Sequence, residues 1–440
     1  MVRSTSTRRR PRRGAAVAVA AIVAMSSVSL VSCAAPDSEL TPTGDETVTL
    51  RFNWWGSESR QVLTDQVIAA FEDEHPNIKV EGEYSDFGSY FDKLSVMAAA
   101  GDLPDVITLT DPYMYGYVEN GQIIDLTEYA GILPTTEFSE ATLANMALDG
   151  GQYAIPAGGG AFGIAVNPAL FEQAGIPVPD DSTWTWDDYR DLSVELAAAL
   201  PGVSGTGLFL TEQMMNVWLR QQGQDYWAEE GAELGFDAAT AAAFWAYELD
   251  LANSGGALGV EASVEAGSLA PEQSPLALGQ QAMSLIAVGQ LGSYESAGQT
   301  LQLLMVPGES EFEAPGGWTN PGQWYAVAAT SEHPEEAALF IDFIVNTAEA
   351  GSINKFDRGV PGNLSVLEAI TPTLSGPENQ IATYFARVQA LEPAPFPRQN
   401  AGAGPVFVEA QKRLTQEVLF ERLTPEQAAQ QLIAEVEAAL

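Results

Sequence analysis

Val48-Thr-Leu-Arg-Phe-Asn-Trp-Trp55 alternates and then runs apolar, which predicts a strand. Leu63, Val67, Ile68 and Phe71 follow at helical spacing, and His75-Pro76 closes that helix. Ile78-Lys-Val-Glu-Gly-Glu-Tyr84 alternates as a second strand. Tyr90 to Ala100 reads as a second helix stopped by Gly101, and Val106 to Leu109 as a short buried strand after Pro104-Asp105. Strand–helix–strand–helix–strand at this pitch implies parallel pairing with right-handed crossovers. This region is therefore a doubly wound α/β unit.

The pattern resumes after Ala161. Phe162 to Val166 predicts a strand, Pro168 to Ala174 a short helix and Trp186 to Leu200 a longer one. Phe236 to Ala252 and Glu335 to Asn346 are strongly helical. In the last helix Thr424 and Gln427 have capping-box spacing, with Pro425 at the first helical position. Leu432, Ile433, Val436 and Leu440 are expected to line one face of it. Gly158-Gly159-Gly160, between the two α/β stretches, is expected to be a flexible chain crossing.

Upstream of Val48 the character changes. Arg3, Arg8, Arg9, Arg10, Arg12 and Arg13 form a basic head, the apolar stretch 14–31 follows, and Leu30-Val31-Ser32-Cys33 ends it. That order is a secretory signal. It resembles a bacterial lipoprotein signal, in which a Leu-x-small-Cys lipobox ends at the lipidated cysteine, here Cys33. Pro11 follows the arginine run where a twin-arginine signal needs apolar residues. Residues 34–46 are polar, Pro-containing and aperiodic, as a tether should be.

The chain has 440 residues, 59 acids against 19 Lys and Arg, and a formal charge of −40; removing the six signal arginines takes it to −46. Such a surface repels phosphate backbones, which excludes nucleic acid as a partner, and it gains nothing from an anionic bilayer. A lipid on Cys33 would have to supply membrane attachment. With one cysteine, no intramolecular disulfide forms.

Several segments, taken in order, resemble the extracellular sugar-binding proteins of ABC importers, extracellular solute-binding protein family 1, related to maltose-binding protein. They are Trp54-Trp55-Gly56, Phe71-Glu-Asp-Glu-His-Pro-Asn-Ile-Lys-Val80, Ala100-Gly-Asp-Leu-Pro-Asp-Val106 and Tyr153-Ala-Ile-Pro156. Asn167-Pro-Ala-Leu-Phe-Glu-Gln-Ala-Gly-Ile176, Trp184-Thr-Trp-Asp-Asp-Tyr189 and Gly279-Gln-Gln-Ala-Met283 continue the series. Ser331-Glu-His-Pro-Glu-Glu-Ala-Ala-Leu-Phe-Ile-Asp-Phe-Ile344 completes it. The resemblance implies an α/β, two-lobed periplasmic-binding-protein-like fold with the ligand cleft at the hinge. Signal peptide 1–32 and tether 33–46 would precede a first lobe of 47–156 plus 325–370 and a second of 160–320 plus 375–440. It also implies a lipid-anchored, extracytoplasmic, monomeric receptor that delivers a carbohydrate to ABC permease subunits with no catalysis, cofactor or metal. An acidic cleft and the nine tryptophans would favour a neutral mono- or oligosaccharide.

A sugar needs aromatic plates for its apolar faces and planar polar groups for its hydroxyl rim. In open α/β sheets the crevice lies at the carboxyl ends of strands. Alternation there puts at least one of Trp54 and Trp55 in the cleft, with Glu58 as a rim acceptor. Asp111, beside Tyr113 at the end of the third strand, is expected either at the ligand or as a helix cap. Trp318 and Asn320 lie on the expected second crossing, and Arg358 either bridges hydroxyls or pairs with a carboxylate. Trp218 and Gln290 enter by family position alone; Trp184, Trp186 and Trp245 are expected in the core. Replacing Trp54, Trp55 or Trp318 by alanine is expected to weaken sugar binding without unfolding.

Two rivals stand beside this reading. The same fold could instead carry a peptide, amino acid or metal chelate; a secreted glycoside hydrolase would need two carboxylates about 5–5.5 or 6.5–9.5 Å apart. His75 and His333 are the only histidines, and no nucleophile elbow or phosphate loop is present.

Overall fold

β1 (Val48–Trp55) turns Leu50, Phe52 and Trp54 to one face and buries all three. α1 (Glu58–Glu74) follows, capped by Ser57, whose hydroxyl accepts the Arg60 N–H. β2 (Ile78–Ser85), α2 (Phe87–Ala100) and β3 (Val106–Leu109) complete the unit, and β2 and β3 flank β1 in parallel. α2 starts on an Asp86 cap and stops at Gly101 with φ 70°, a left-handed position that glycine takes without a Cβ clash. The computed structural model describes residues 47–440 except 111, 112, 229, 230, 313, 375, 397, 399 and 401. The signal segment, Cys33, the tether and Asp111 thus lie outside the described residues.

α3 (Tyr113–Glu119), α4 (Glu140–Ala144) and the small hairpin β4 (Ala147–Leu148) and β5 (Gly151–Gln152) lead to β6 (Ile155–Val166). β6 runs on from the first core into the second. Beyond it come α5 (Pro168–Ala174), α6 (Trp186–Ala199), α7 (Glu212–Gln221), hairpin β7 (Trp227–Ala228) and β8 (Glu233–Leu234), and α8 (Ala238–Asn253). α9 (Val260–Ala266), β9 (Met283–Ala287), α10 (Leu291–Glu295) and β10 (Gln302–Leu304) follow. β9 and β10 flank the far half of β6, both antiparallel. Beyond β1–β3, parallel pairing occurs only as isolated bridges among the described residues, such as Ser204 with Gln281 and Thr206 with Ala257. Along that half, Ile164 and Val166 enter one core while Ala161 and Ala165 enter another, and helices cover both.

β11 (Thr319–Val327) returns from the second lobe to the first. Its start pairs with Ala161 and Gly160 of β6, its end with β3. The strand order is β10-β6-β11-β3-β1-β2, with β9 also on β6. α11 (Pro334–Asn346), α12 (Ala348–Asn354), α13 (Leu364–Ile370), α14 (Pro377–Ala390), α15 (Ala403–Leu419) and α16 (Pro425–Glu437) finish the chain. The Thr424–Gln427 capping box forms. Leu432 and Val436 are buried, but Leu440 is 46% exposed because α16 ends at Glu437.

Gly158-Gly159-Gly160 is not a flexible joint. All three lie within β6, and Gly159 also pairs with Val360. A Cβ on Gly158 would sit 2.5 Å from the Arg358 carbonyl oxygen, so glycine is required there by the close approach of a second backbone.

Candidate functional site

The carboxyl end of β1, the glycines of β6, the middle of β11 and the turn after α12 converge on one cavity of about 380 Å³. Trp55 and Phe162 give it aromatic walls; Asn320, Gln323, Arg60 and Arg358 give it polar ones. Phe162 and Asn320 are shared with a second cavity of about 130 Å³, walled by Trp318, Trp227 and Phe396. Trp227 and Phe396 are shared in turn with an outer cavity of about 360 Å³ that reaches Tyr115, Asp149 and Arg398. Together they form an elongated cleft with aromatic rings along its length and amide or charged groups between them.

Trp54 does not face this cleft. Its ring is buried beside Phe52, 4.8 Å away, and Tyr84, 6.3 Å away, on the side of the sheet that α1 and α11 cover. Trp55, one residue on, points the other way and lies half-buried against Phe87, Tyr90 and Phe91 at 5.4–5.6 Å. Tyr113, 43% exposed, stacks on Phe91 at 3.8 Å and stands on the rim of that aromatic group. Glu58 is an exposed first-turn residue of α1, outside the cavity walls. Gln290 is exposed one residue beyond Gly289, which does line the cavity.

Trp218 belongs to another environment. α7 turns it towards α6 and α8, where it meets Trp186 at 5.3 Å, Tyr247 at 5.7 Å and Phe244 at 6.2 Å; it lines none of the three cavities. Trp184, Trp186 and Trp245 are core residues, and Trp186 and Trp245 donate their indole N–H groups to Gln221 and Thr415. Trp318 sits between Phe162 at 5.9 Å and Phe396 at 6.0 Å. Its approach is held by Glu309, whose carboxylate accepts the N–H groups of Gly316 and Gly317 at 3.1 and 2.7 Å.

Arg60 and Arg358 share one carboxylate unequally. Arg60 Nε lies 2.6 Å from Asp357 Oδ2, while Arg358 Nη1 is 3.8 Å from it. Arg358 instead donates to Thr64 Oγ1 at 2.8 Å and Asn354 Oδ1 at 3.4 Å. Burial lowers its pKa from the ordinary guanidinium value.

Gln323 was not singled out from the sequence. It is 3% exposed, and neither amide atom has a hydrogen-bond partner among the described residues. A buried amide left this way costs free energy, so it marks a place where a bound molecule's polar groups could complete the bonding. A glutamine immediately before the apolar run Trp324-Tyr-Ala-Val327 is the available signal. Arg60, Trp227 and Phe396 gave none, since their roles depend on contacts between distant parts of the chain.

A larger groove of about 770 Å³ between α13 and α14 has no aromatic ring in its walls and lies away from the strand ends.

This architecture, with strands passing from one lobe to the other and an aromatic cleft beside them, is the two-lobed α/β fold of periplasmic solute-binding proteins. Residues 56–351, more than half of the chain, match the bacterial extracellular solute-binding protein family, and the chain belongs to it. A family 1 extracellular solute-binding protein from Alicyclobacillus acidocaldarius superposes with a TM-score of 0.79 at 25% identity, over 89% of this chain and 98% of that one. A periplasmic oligogalacturonide-binding protein from Yersinia enterocolitica shares the fold at TM-score 0.74 and 19% identity, over 89% and 100%. An ABC substrate-binding protein from Listeria monocytogenes, in complex with cycloalternan, does so at 0.69 and 21%, over 89% and 98%. Binding proteins from Brucella abortus and Brucella suis are 25% identical over 196 residues, 44% of this chain. The chain spans about two-fifths (42%) of the length of those curated relatives.

Proposed function

We propose that the protein is the extracytoplasmic receptor of an ABC importer and that its cargo is a carbohydrate. The observation that carries this is the buried, unpartnered Gln323 amide in a cavity walled by Trp55 and Phe162, the pairing of plate and planar polar group that a sugar ring requires. The Yersinia protein binds oligogalacturonides and the Listeria protein is in complex with cycloalternan, which supports the class. A monomer tethered through lipidated Cys33 holds the sugar between lobes near 47–156 plus 325–370 and 160–320 plus 375–440. Contacts from both lobes exist together only in the closed form, so ligand shifts the population towards closure, and permease subunits recognise the paired lobes.

The test is a thermal-shift screen of the purified protein against sugars, peptides and amino acids. A ligand at ~100 times its Kd adds ~2.7 kcal/mol to the folded state. A midpoint rise with sugars, recovered uncleaved, supports the proposal. A response to peptides alone removes the carbohydrate, and cleavage of the sugar places a hydrolase first.

Trp55→Ala should raise the Kd tenfold or more, ~1.4 kcal/mol, with modest change in melting temperature. Trp318→Ala should raise it similarly but also lower the melting temperature clearly, because Trp318 is buried in the core. Unaltered affinity in both would dissolve the site assignment. Arg398→Ala tests closure separately. Its guanidinium lies 4.0 Å from the Tyr115 ring centroid and 3.2 Å from Glu119, closing the outer cavity. Losing an exposed cation–π contact and a partly exposed ion pair should cost about 1 kcal/mol, a several-fold weaker Kd by calorimetry. An unchanged Kd would mean that the contact plays no part in holding the lobes together.

A further inference from the structure

The inner cavity has a local charge opposite to that of the whole molecule. In a chain with 59 acids and 19 Lys and Arg, its two charged wall residues are Arg60 and Arg358, and no carboxylate lines it among the described residues. Asp357 stands behind that wall, bound tightly to Arg60 and only loosely to Arg358. Two guanidinium groups therefore face one carboxylate. Arg358 is 7% exposed, and its Nε has no partner among the described residues. Thr64 and Asn354 offer its other nitrogens neutral oxygens only. A buried cation so incompletely paired is costly unless something else neutralises it.

A second, independent feature points into the same space: the Gln323 amide, buried with both donor and acceptor unused. We infer that the cleft selects a carbohydrate bearing a carboxylate, a uronic-acid sugar, with the carboxylate on Arg358 and the neighbouring hydroxyls on Gln323. This rests on the carbohydrate reading above and narrows it. Guanidinium suits a planar carboxylate, which it meets through parallel N–H donors, and the amide suits a hydroxyl, which both gives and accepts. The expectation of a neutral sugar assumed an acidic cleft and leaned on the many tryptophans; this cavity wall instead carries two guanidinium groups and no carboxylate among the described residues.

The test pairs ligands as well as proteins. Di- and trisaccharides of glucuronic, galacturonic and mannuronic acid are titrated into the purified protein by calorimetry, each beside its carboxyl-reduced, neutral counterpart. At least one acidic sugar should bind tenfold or more tighter than its reduced form, with the preference shrinking as salt is raised. Arg358→Gln should bring the two affinities together. Because Arg358 is buried, the ligand comparison on the unaltered protein decides alone if that variant does not fold. Equal or tighter binding of the neutral forms overturns this inference and leaves the carbohydrate reading intact. Binding of simple dicarboxylates or acidic peptides, with no sugar bound, overturns both; silence across the whole panel overturns this inference and leaves the carbohydrate reading to the thermal-shift screen.

Discussion

Trp54→Ala should cost about 3–5 kcal/mol of folding stability, the range for emptying a buried aromatic site, while the affinity of the folded protein changes little. The indole is fully buried between Phe52 and Tyr84. Its neighbour strand is fitted to it: a Cβ on Gly82 would lie 2.9 Å from the Trp54 ring. Truncation opens a space that β1, paired on both edges by β2 and β3, cannot readily collapse into. Chemical denaturation measures the loss as a lower midpoint at constant slope. The companion Trp55→Ala should show the reverse profile, a modest stability change and weaker ligand binding. An exchange of these two profiles would place the cleft on the other face of β1.

Glu248→Gln is the second large effect, and its sign depends on pH. Glu248 is fully buried on α8; one oxygen accepts the Phe209 N–H at 3.1 Å and the other has no partner among the described residues. Burial without a nearby cation pushes its pKa up to about 8 from an ordinary 4.5. Between those values the folded protein keeps a proton that the unfolded chain releases. This contribution to stability is therefore fully present below about pH 4.5 and is lost as pH rises through about 8. The amide has no proton to surrender. At pH 5 the variant should match the parent or fall slightly below it, since a new N–H is left unpaired. By pH 8 it should be more stable by on the order of 2–3 kcal/mol. Parallel stability–pH curves for the two proteins would mean that Glu248 titrates normally.

The first lobe was legible because its signals are local. Period-2 strands, the Asp86 cap and Gly101 each act within a few residues, and together they allow only one order of elements. The cleft was legible only in outline. Alternation correctly says that Trp54 and Trp55 face opposite ways, but both faces of a parallel strand are covered, so it does not say which face borders the ligand. Trp218 was placed by family position, and the turn of α7 towards α8 overrode it. Gly158 was read as freedom when it is tight clearance for the Arg358 backbone. Arg60 and Asp357, 297 residues apart, meet only in the folded chain, and spacing along the sequence carries no trace of such a pair.

Gln323 lies on β11 where its register with β6 shifts, on both sides of that residue. The strand that carries the cavity's unpaired amide is thus also one of the strands joining the lobes. If the sugar closes the lobes as proposed, a ligand that grips the amide would pull on the pivot itself. Sensor and axle would then be one piece of chain, and occupancy would set the angle between lobes without any relay of side chains to carry the message.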